Sequence, residues 1–267
     1  MWFSMANTGI GFIGFGNMAQ AMAQGLLRGG VKGEDLFACA KRWEKLEQTA
    51  AKLGVIPCHD SLEVLEHSHI LILAVKPYLI EEVLSPLKDK LEGKLVISVA
   101  AGWLFSRFEE ILPAGVHHLS IMPNTPVAIG EGVVLLEQEH SLSAEELSQV
   151  QQLFSTLGTV ETVTAAQMGI AGTLSGCGPA YAAMFLEALG DAGVLHGLPR
   201  DLSYRLAAQM LAGTGKLHLA TGQHPGAMKD AVCSPGGTTI KGVAALERRG
   251  FRSAVTDAIT AVVKPKE

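Results

Sequence analysis

The residues Gly9-Ile-Gly-Phe-Ile-Gly-Phe-Gly-Asn-Met-Ala19 decide the fold. Residues 8–13 form an apolar run that predicts a strand, and residues 18–28 have the spacing of a helix. The loop between them has the pattern G-x-G-x-x-A. Gly14 permits a tight turn, Gly16 lets a pyrophosphate approach the backbone, and Ala19 lets the helix pack closely on the strand. Because a helix N-terminus also offers free N–H groups, we interpret this loop as a dinucleotide site rather than a simple tight turn.

Short apolar runs continue to alternate with helical patterns as far as residue 163. The further predicted strands lie at residues 36–40, 55–56, 70–75, 95–99, 118–121, 133–136 and 160–163. Asp60 and Ser143 are each followed three residues later by a glutamate, which predicts a capping box at the start of two helices. Strands that alternate with helices predict an α/β domain with a doubly wound, mostly parallel sheet of the Rossmann type.

No strand pattern follows Thr164. Helical spacing is found instead at residues 165–195, 199–220, 224–232, 239–249 and 252–263. We therefore predict a dinucleotide-binding domain over residues 1–164 and an all-helical domain over residues 165–267. Several of these helices are apolar nearly all round, and a bundle of about 100 residues would struggle to cover them, so we expect a second copy of the chain to do so.

Composition and charge exclude several classes of protein. The net charge is −5, with 11 basic and 19 acidic residues up to position 165 and 10 basic and 7 acidic residues beyond it. A negatively charged chain is not expected to be a general nucleic-acid binder. No apolar run approaches the roughly 20 residues that span a bilayer, and the N-terminal residues do not have the pattern of a signal or transit peptide. We expect neither nucleic acid nor membrane as a partner.

The cysteines and histidines do not form a recognisable metal or disulfide pattern. Cys39, Cys58, Cys177 and Cys233 include no C-x-x-C pair, and the nine histidines include no H-E-x-x-H sequence. Unpaired cysteine spacing is typical of a reducing compartment. We therefore expect a cytoplasmic protein without a metal site.

The end of the second predicted strand favours one nicotinamide cofactor over another. An enzyme that uses NAD places an acidic residue there, which binds the ribose 2′-hydroxyl. This chain has Ala40-Lys41-Arg42 instead. Lys41 and Arg42 suit a 2′-phosphate, which favours NADPH. NADH stays possible, since Glu44 lies near enough in sequence to reach a ribose.

Three further loops follow strands whose carboxyl ends should lie at the same edge of the sheet. They are Val75-Lys-Pro77, Ala100-Ala-Gly102 and Met122-Pro-Asn-Thr-Pro126. In doubly wound sheets that edge forms the ligand crevice, so we expect these loops to line the cofactor site. The alternative for each is an ordinary turn shaped by proline or small residues.

The helical region contains two more segments of interest. Ser175-Gly-Cys-Gly-Pro-Ala-Tyr181 predicts a helix break near the substrate, or a close helix contact through small residues. Cys233-Ser-Pro-Gly-Gly-Thr-Thr239 enters a helix with successive backbone N–H groups and hydroxyls, which is a suitable nest for a small carboxylate. The alternative for the second segment is a simple N-cap formed by Thr238.

Taken in order along the chain, these motifs resemble the Δ1-pyrroline-5-carboxylate reductase family, and the resemblance covers nearly the whole sequence. The stretches that carry it are Ile10-Gly-Phe-Ile-Gly-Phe-Gly-Asn-Met-Ala19, Ala74-Val-Lys-Pro77, Ser98-Val-Ala-Ala-Gly102, Met122-Pro-Asn-Thr-Pro126, Leu174-Ser-Gly-Cys-Gly-Pro-Ala-Tyr181, His224-Pro-Gly-Ala-Met-Lys-Asp230 and Cys233-Ser-Pro-Gly-Gly-Thr-Thr-Ile240. Cys177 departs from the family pattern, which usually has serine or another small residue there.

The resemblance implies an NAD(P)H-dependent reduction of 1-pyrroline-5-carboxylate to L-proline, with hydride transfer to the C=N carbon. It also implies a homo-oligomer built from dimers that intertwine through the helical domain. The implied cofactor residues are Ile13, Gly14, Phe15, Gly16, Asn17, Met18, Ala74, Val75, Lys76 and Pro77, with Ala100 and Ala101 beside the nicotinamide. Gly237, Thr238 and Thr239 would hold the substrate carboxylate, and Thr239 is the implied proton donor. We add Asn124 and Ser175 as expected substrate contacts.

Two other functions are consistent with the glycine loop. A β-hydroxyacid dehydrogenase also joins a nucleotide domain to a helical one, but it needs a catalytic lysine on the first helix after the sheet. This chain has no lysine between Lys94 and Lys216. A non-catalytic NADP-binding protein would explain the glycine loop but would leave the Cys233–Thr239 segment unexplained.

Overall fold

The computed structural model describes residues 9–263, and its first half is built on an eight-stranded sheet. The strands are β1 (Ile10–Ile13), β2 (Leu36–Cys39), β3 (Ile56–Pro57), β4 (Ile70–Leu73), β5 (Leu95–Ser98), β6 (His117–Pro123), β7 (Gly132–Glu137) and β8 (Gly158–Val163). Their order across the sheet is β3-β2-β1-β4-β5-β6-β7-β8. Strand order reverses direction at β1, which is the topological switch point of a doubly wound sheet.

The first six strands of the sheet are parallel, and the last two run the opposite way. β7 pairs with β6 in the antiparallel sense and with β8 in the parallel sense. The predicted mostly parallel Rossmann-type sheet is therefore confirmed. The reversal at β7 follows from the short connection between β6 and β7, since parallel neighbours need a longer crossover.

Helices cover both faces of this sheet. They are α1 (Asn17–Arg28), α2 (Trp43–Leu53), α3 (Ser61–His67), α4 (Ile80–Leu84), α5 (Phe105–Glu109) and α6 (Ala144–Ser155). Alternate residues of the buried strands face the two layers. Ile70 and Ile72 of β4 belong to the core under α1, α2 and α6, whereas Leu71 and Leu73 belong to the core under α3, α4 and α5. Burial on both faces explains the continuous apolar runs of the sequence.

The two predicted capping boxes form to different extents. Ser143 accepts a hydrogen bond from the Glu146 N–H, and the Glu146 carboxylate returns to the Ser143 N–H, so this box is complete. Asp60 accepts from two backbone N–H groups of the first turn of α3. The Glu63 carboxylate, however, accepts from the His59 N–H at 2.6 Å rather than from that of Asp60. Only half of the predicted box at Asp60 is therefore formed.

The chain divides into two compact units, one that ends at Gly176 and one that begins at Cys177. The first unit includes α7 (Ala165–Gly172), which contacts β7 and β8. A π-helical turn, Thr173–Cys177, follows α7 directly. The helix break predicted within residues 175–181 is thus a local widening of a helical segment. The boundary after residue 164 stays a prediction.

The second unit consists of helices alone, as predicted. They are α8 (Gly178–Leu195), α9 (Arg200–Thr221), α10 (Pro225–Ala231), α11 (Thr238–Arg248) and α12 (Phe251–Val263). α8 and α9 pack against each other at Gly190, where an added Cβ would lie 2.3 Å from the Tyr204 ring. Pro199 caps α9 and precedes its first residue, rather than forming that residue as predicted. No helix within residues 9–263 combines the length and the apolar character needed to cross a bilayer.

The second unit has almost no interior of its own. Within residues 178–263 only Gly190, Ser203 and Ala207 are buried. Large apolar side chains are exposed on α8, α9, α11 and α12 and in the segments that follow α8 and α10: Met184, Val194, Leu195, Leu198, Leu206, Met210, Leu217, Leu219, Val232, Leu246, Phe251, Val255, Val262 and Val263. Monomeric proteins rarely expose apolar surface on this scale, so it indicates an interaction surface.

Candidate functional site

The glycine loop is fixed between the ends of two neighbouring strands. The Gly14 N–H donates to the Cys39 carbonyl at the end of β2 (3.0 Å), and the Ala74 N–H donates to the Ile13 carbonyl (2.9 Å). Gly14 has φ +90°, and an added Cβ would lie 2.7 Å from the Ala74 carbonyl oxygen. Glycine is therefore required here both by the backbone conformation and by the close approach of β4.

Gly16 is a glycine for a different reason. It is the N-cap of α1 with an ordinary φ of −79°, and an added Cβ would meet no atom within 4 Å. No side chain caps this helix, so the N–H groups of its first turn, which includes the predicted residues Asn17 and Met18, are left for a ligand. Gln20 donates its side-chain N–H to the Phe15 carbonyl at 2.8 Å, which holds the loop in place. The space beside Gly16 and the free N–H groups together suit a pyrophosphate.

An open hollow of about 550 Å³ adjoins this loop. Its lining residues are Phe15, Gly16, Ala40, Lys41, Arg42, Lys45 and Leu46. Lys41 and Arg42 therefore lie beside Gly16, as the sequence predicts. Within the described residues neither they nor Lys45 take part in an ion pair. Three unpaired cations beside a helix N-terminus suit a phosphate group.

Lys45 was missed by the sequence analysis. It lies on the first turn of α2, three residues after the N-cap Arg42, so helical spacing alone could have placed it on the same side as Arg42. Glu44, the carboxylate that left NADH possible, is not among the residues that line the hollow. The Cys39 thiol lies next to the loop, but burial raises its pKa to about 11, so it is protonated and unreactive at neutral pH.

Two more predicted loops lie at the same edge of the sheet. Pro77 opens a short 3₁₀ turn after β4, and the preceding Lys76 is exposed. After β5, the Ala100 N–H donates to the Ser98 hydroxyl at 3.2 Å. The side chain of Ala100 is buried in the core, whereas Ala101 is exposed. Of the two predicted alanines, only Ala101 presents its side chain at the surface.

Asn124 and Ser175 are brought into direct contact. The Asn124 side-chain N–H donates to the Ser175 carbonyl at 2.9 Å, and its carbonyl accepts from the Val133 N–H at 2.8 Å. Asn124 is buried, and Ser175 is partly buried in the π-helical turn. The Asn124 amide is therefore engaged within the protein. A role for either side chain as a substrate contact stays a prediction.

In the second unit, the predicted carboxylate nest forms the start of α11. The Gly237 N–H donates to the Ser234 carbonyl at 3.0 Å, and Gly236 has φ +68°. Gly237 is the N-cap, and no side chain caps the helix. The alternative in which Thr238 is the N-cap is therefore wrong, because Thr238 is already the first helical residue. Thr238 and Thr239 are both exposed.

The start of α11 has hydroxyl groups and backbone N–H groups, with one exposed lysine, Lys241, in its first turn and another lysine, Lys229, shortly before it. Lys229, four residues before Cys233, donates to the Asp230 carboxylate at 2.5 Å. This hydrogen bond raises the pKa of Lys229, so the lysine stays protonated and paired. The Cys233–Thr239 nest itself offers neutral donors and a helix dipole, and Lys241 adds one positive charge in the first turn of α11, which together suit a singly charged carboxylate.

Two family models match this sequence. One, described as pyrroline-5-carboxylate reductase dimerisation, matches residues 165–267. The other, described as NADP oxidoreductase coenzyme F420-dependent, matches residues 9–102. The second match contains the glycine loop, the three cations of the hollow and the loops after β4 and β5.

Full-length relatives are also found. A pyrroline-5-carboxylate reductase of Treponema pallidum (strain Nichols) is 43% identical over 259 residues, covering 95% of this chain and 98% of that protein. One from Escherichia coli (strain K12) is 36% identical and covers 97% of each chain. A crystal structure of Plasmodium falciparum pyrroline carboxylate reductase with NADP bound has a TM-score of 0.86 at 32% identity, covering 97% of each chain.

The two glycines of the loop should respond differently to substitution. Gly16→Ser places a good N-capping residue in open space, so the thermal unfolding midpoint should stay the same or rise. Its side chain takes the space of a bound pyrophosphate, and dinucleotide affinity should fall about tenfold or more, since hydrogen bonds to a charged group contribute about 1.5–3 kcal/mol each.

Gly14→Ala is the matched variant, and it should lower the thermal midpoint because its Cβ collides with the Ala74 carbonyl. Thermal melts and fluorescence titration with NADPH measure both effects. Wild-type affinity in Gly16→Ser would show that the pyrophosphate lies elsewhere.

Proposed function

The chain belongs to the pyrroline-5-carboxylate reductase family, and we propose that it reduces 1-pyrroline-5-carboxylate to L-proline with NADPH as the reductant. The observation that carries the proposal is the hollow beside Gly16, where an uncapped helix N-terminus adjoins three cations that have no ion-pair partner among residues 9–263. This arrangement supplies the two features that a phosphorylated dinucleotide needs, a pyrophosphate cradle and a cationic pocket.

The residues present fit NADPH. Bound there, the cofactor would supply a hydride to the carbon of the C=N bond. The amides at the start of α1 would hold the pyrophosphate, and Lys41, Arg42 and Lys45 would hold the 2′-phosphate. The hollow contains no carboxylate that would favour the ribose 2′-hydroxyl of NADH among its described lining residues. Ala101 would lie beside the nicotinamide, at the same edge of the sheet.

The start of α11 would bind the other reactant. We assign the substrate carboxylate to the N–H groups of Gly237, Thr238 and Thr239, where the helix dipole favours an anion. A cyclic imine that is protonated on nitrogen is already electrophilic, so the reaction requires orientation and exclusion of water more than a strong acid. To an imine that binds unprotonated, Thr239 would donate a hydrogen bond at the ring nitrogen or relay the proton that makes the carbon electrophilic.

We further propose that two copies of the chain associate through their helical units. The exposed apolar side chains of α8, α9, α11 and α12 and the match to a dimerisation model both support this. Association would bury the apolar surface that a single helical unit cannot cover, as expected for dimers that intertwine. We also propose a cytoplasmic location, which the absence of a disulfide pattern in the sequence supports.

The direct test is a spectrophotometric assay of NADPH oxidation, with and without pyrroline-5-carboxylate. The proposal requires oxidation that depends on the imine and yields proline. If NADPH binds but is not oxidised, the chain is a non-catalytic NADP-binding protein. If a 3-hydroxy acid is oxidised and the imine is not reduced, the chain is a β-hydroxyacid dehydrogenase.

Removing the cations of the hollow should change cofactor preference rather than general binding. The double variant Arg42→Ala and Lys45→Ala should raise the Kd of NADPH about tenfold or more and leave that of NADH within about twofold, because only NADPH has a phosphate for these charges to bind. Lys52→Ala, an exposed lysine in the last turn of the same helix, is the control for net charge. Equal weakening of both cofactors would contradict the assignment.

Thr239→Ala should lower kcat about tenfold if the hydroxyl donates a hydrogen bond alone, and about 10²-fold or more if it transfers a proton. The Kd of NADPH should not change, because Thr239 lies outside the nucleotide-binding unit. Thr239→Ser keeps the hydroxyl and should retain most of the activity. Wild-type turnover in Thr239→Ala would remove this residue from the mechanism.

A further inference from the structure

The side-chain nitrogen and oxygen of Asn124 each form a hydrogen bond within the first unit. The Val133 N–H can only donate, so the atom that faces it at 2.8 Å is the Asn124 carbonyl oxygen. The side-chain nitrogen therefore faces the Ser175 carbonyl, to which it donates at 2.9 Å. The Asn124 backbone is also occupied, since its N–H donates to Val133 and its carbonyl accepts from Val127.

The segment that Asn124 holds is an unusual one. Ser175 lies in the middle of the π-helical turn Thr173–Cys177, a wider turn than an α-helix provides. Such turns are rare and are often found at functional sites. Three residues earlier, Gly172 packs so closely on β6 that an added Cβ would lie 2.0 Å from the sulfur of Met122. Two residues of the β6 end, Met122 and Asn124, thus fix the end of α7 and the turn that follows it.

The position of this turn connects it to the reaction. β5 and β6 are parallel and in register, with Ser98 opposite Ser120, so Asn124 lies at the same sheet edge as Ala101. Gly176, the residue after Ser175, is exposed, and a Cβ added there would meet no atom within 4 Å. The surface of the turn is therefore open at the edge where the nicotinamide is proposed to lie.

We propose that Asn124 is a positioning residue for hydride transfer: it holds the Ser175 peptide and thereby fixes the π-helical turn at the sheet edge where the nicotinamide is proposed to lie, without binding the substrate itself. This inference rests on the proposed reductase activity. It replaces a direct role of the Asn124 amide with an indirect one, because Asn124 is buried and its side-chain nitrogen and oxygen both have partners within the first unit.

The substitution Asn124→Asp tests the proposal through pH. A protonated carboxyl has the shape of the amide and can donate to the Ser175 carbonyl, whereas the ionised form places two acceptors against each other. None of the hydrogen-bond partners of Asn124, which are Val133, Val127 and Ser175, titrates. A buried carboxyl titrates above its usual range, so the variant should change between its two forms within about pH 6 to 8.

The measured quantity is the ratio of variant to wild-type kcat at each pH, with the Kd of NADPH measured alongside it. At about pH 8 the ratio should be about one tenth or less, and at about pH 6 it should rise severalfold, because protonation restores a donor to the Ser175 carbonyl. The Kd of NADPH should stay within about twofold of wild type throughout.

Three results with Asn124→Asp would overturn the proposal: a ratio near one at both pH values, a ratio equally low at both, or a loss of NADPH affinity in parallel with kcat. The last result would mean that Asn124 supports the nucleotide unit as a whole. If the wild-type protein does not reduce the imine, the proposed function fails, and that outcome is separate from all three.

Ser141→Ala is the matched control for loss of a hydrogen bond near β6. The Ser141 hydroxyl accepts from the His118 N–H at 2.8 Å, near the other end of the same strand. This variant should lower the thermal midpoint, but its kcat ratio should stay constant from about pH 6 to 8, because no titrating group is introduced. A pH-dependent ratio in Ser141→Ala would show that general destabilisation produces the effect, and would equally overturn the proposal.

Discussion

The geometry of the first unit depends on the peptide of Gly14, which is held between the ends of β2 and β4. The strand order changes direction at β1. The chain leaves the sheet at Gly14, where the Ala74 carbonyl after β4 leaves no space for a Cβ. A residue with a Cβ would push β4 away, and α1 would then start in a different place. The free amides of α1 face the hollow only because this turn directs them there. The proposed cofactor site is thus a consequence of the tight turn at Gly14, in the centre of the sheet.

The helices of the second unit bury very few of their own residues. Its helices form regular hydrogen bonds, but within residues 178–263 they bury only three residues. Helical hydrogen bonds alone contribute little to stability, because most of the stability of protein helices comes from packing an apolar face. The unit therefore needs to bury its exposed apolar side chains against another surface to be stable. The leucines, methionines and valines at these exposed positions are the sequence feature that indicates such a surface.

The sequence predicted the architecture better than it predicted particular side chains. Periodicity and glycine spacing were enough for the sheet, the loop and the helical unit, because these depend on patterns that repeat along the chain. The reversal at β7 was not predicted, since it depends on the length of one connection. Lys45 was missed because it joins the hollow only through the turn of α2. The pairing of Asn124 with Ser175 joins residues 51 positions apart, and no local pattern reports a contact of that range.

The N-termini of α1 and α11 are each proposed to bind an anion through free backbone N–H groups, and the two anions differ in charge. At α1 the free amides adjoin Lys41, Arg42 and Lys45, a set of charges that suits a phosphate dianion. At α11 the amides adjoin hydroxyls, and the lysine nearest before them is paired with Asp230. A carboxylate needs fewer positive charges than a phosphate. In the proposed site, a cation placed directly beside the imine would disfavour protonation of the ring nitrogen and so lower the fraction of substrate in the electrophilic form. Neutral donors to the carboxylate would avoid this cost, with Lys241 in the first turn of α11 as the one cation on that helix near them.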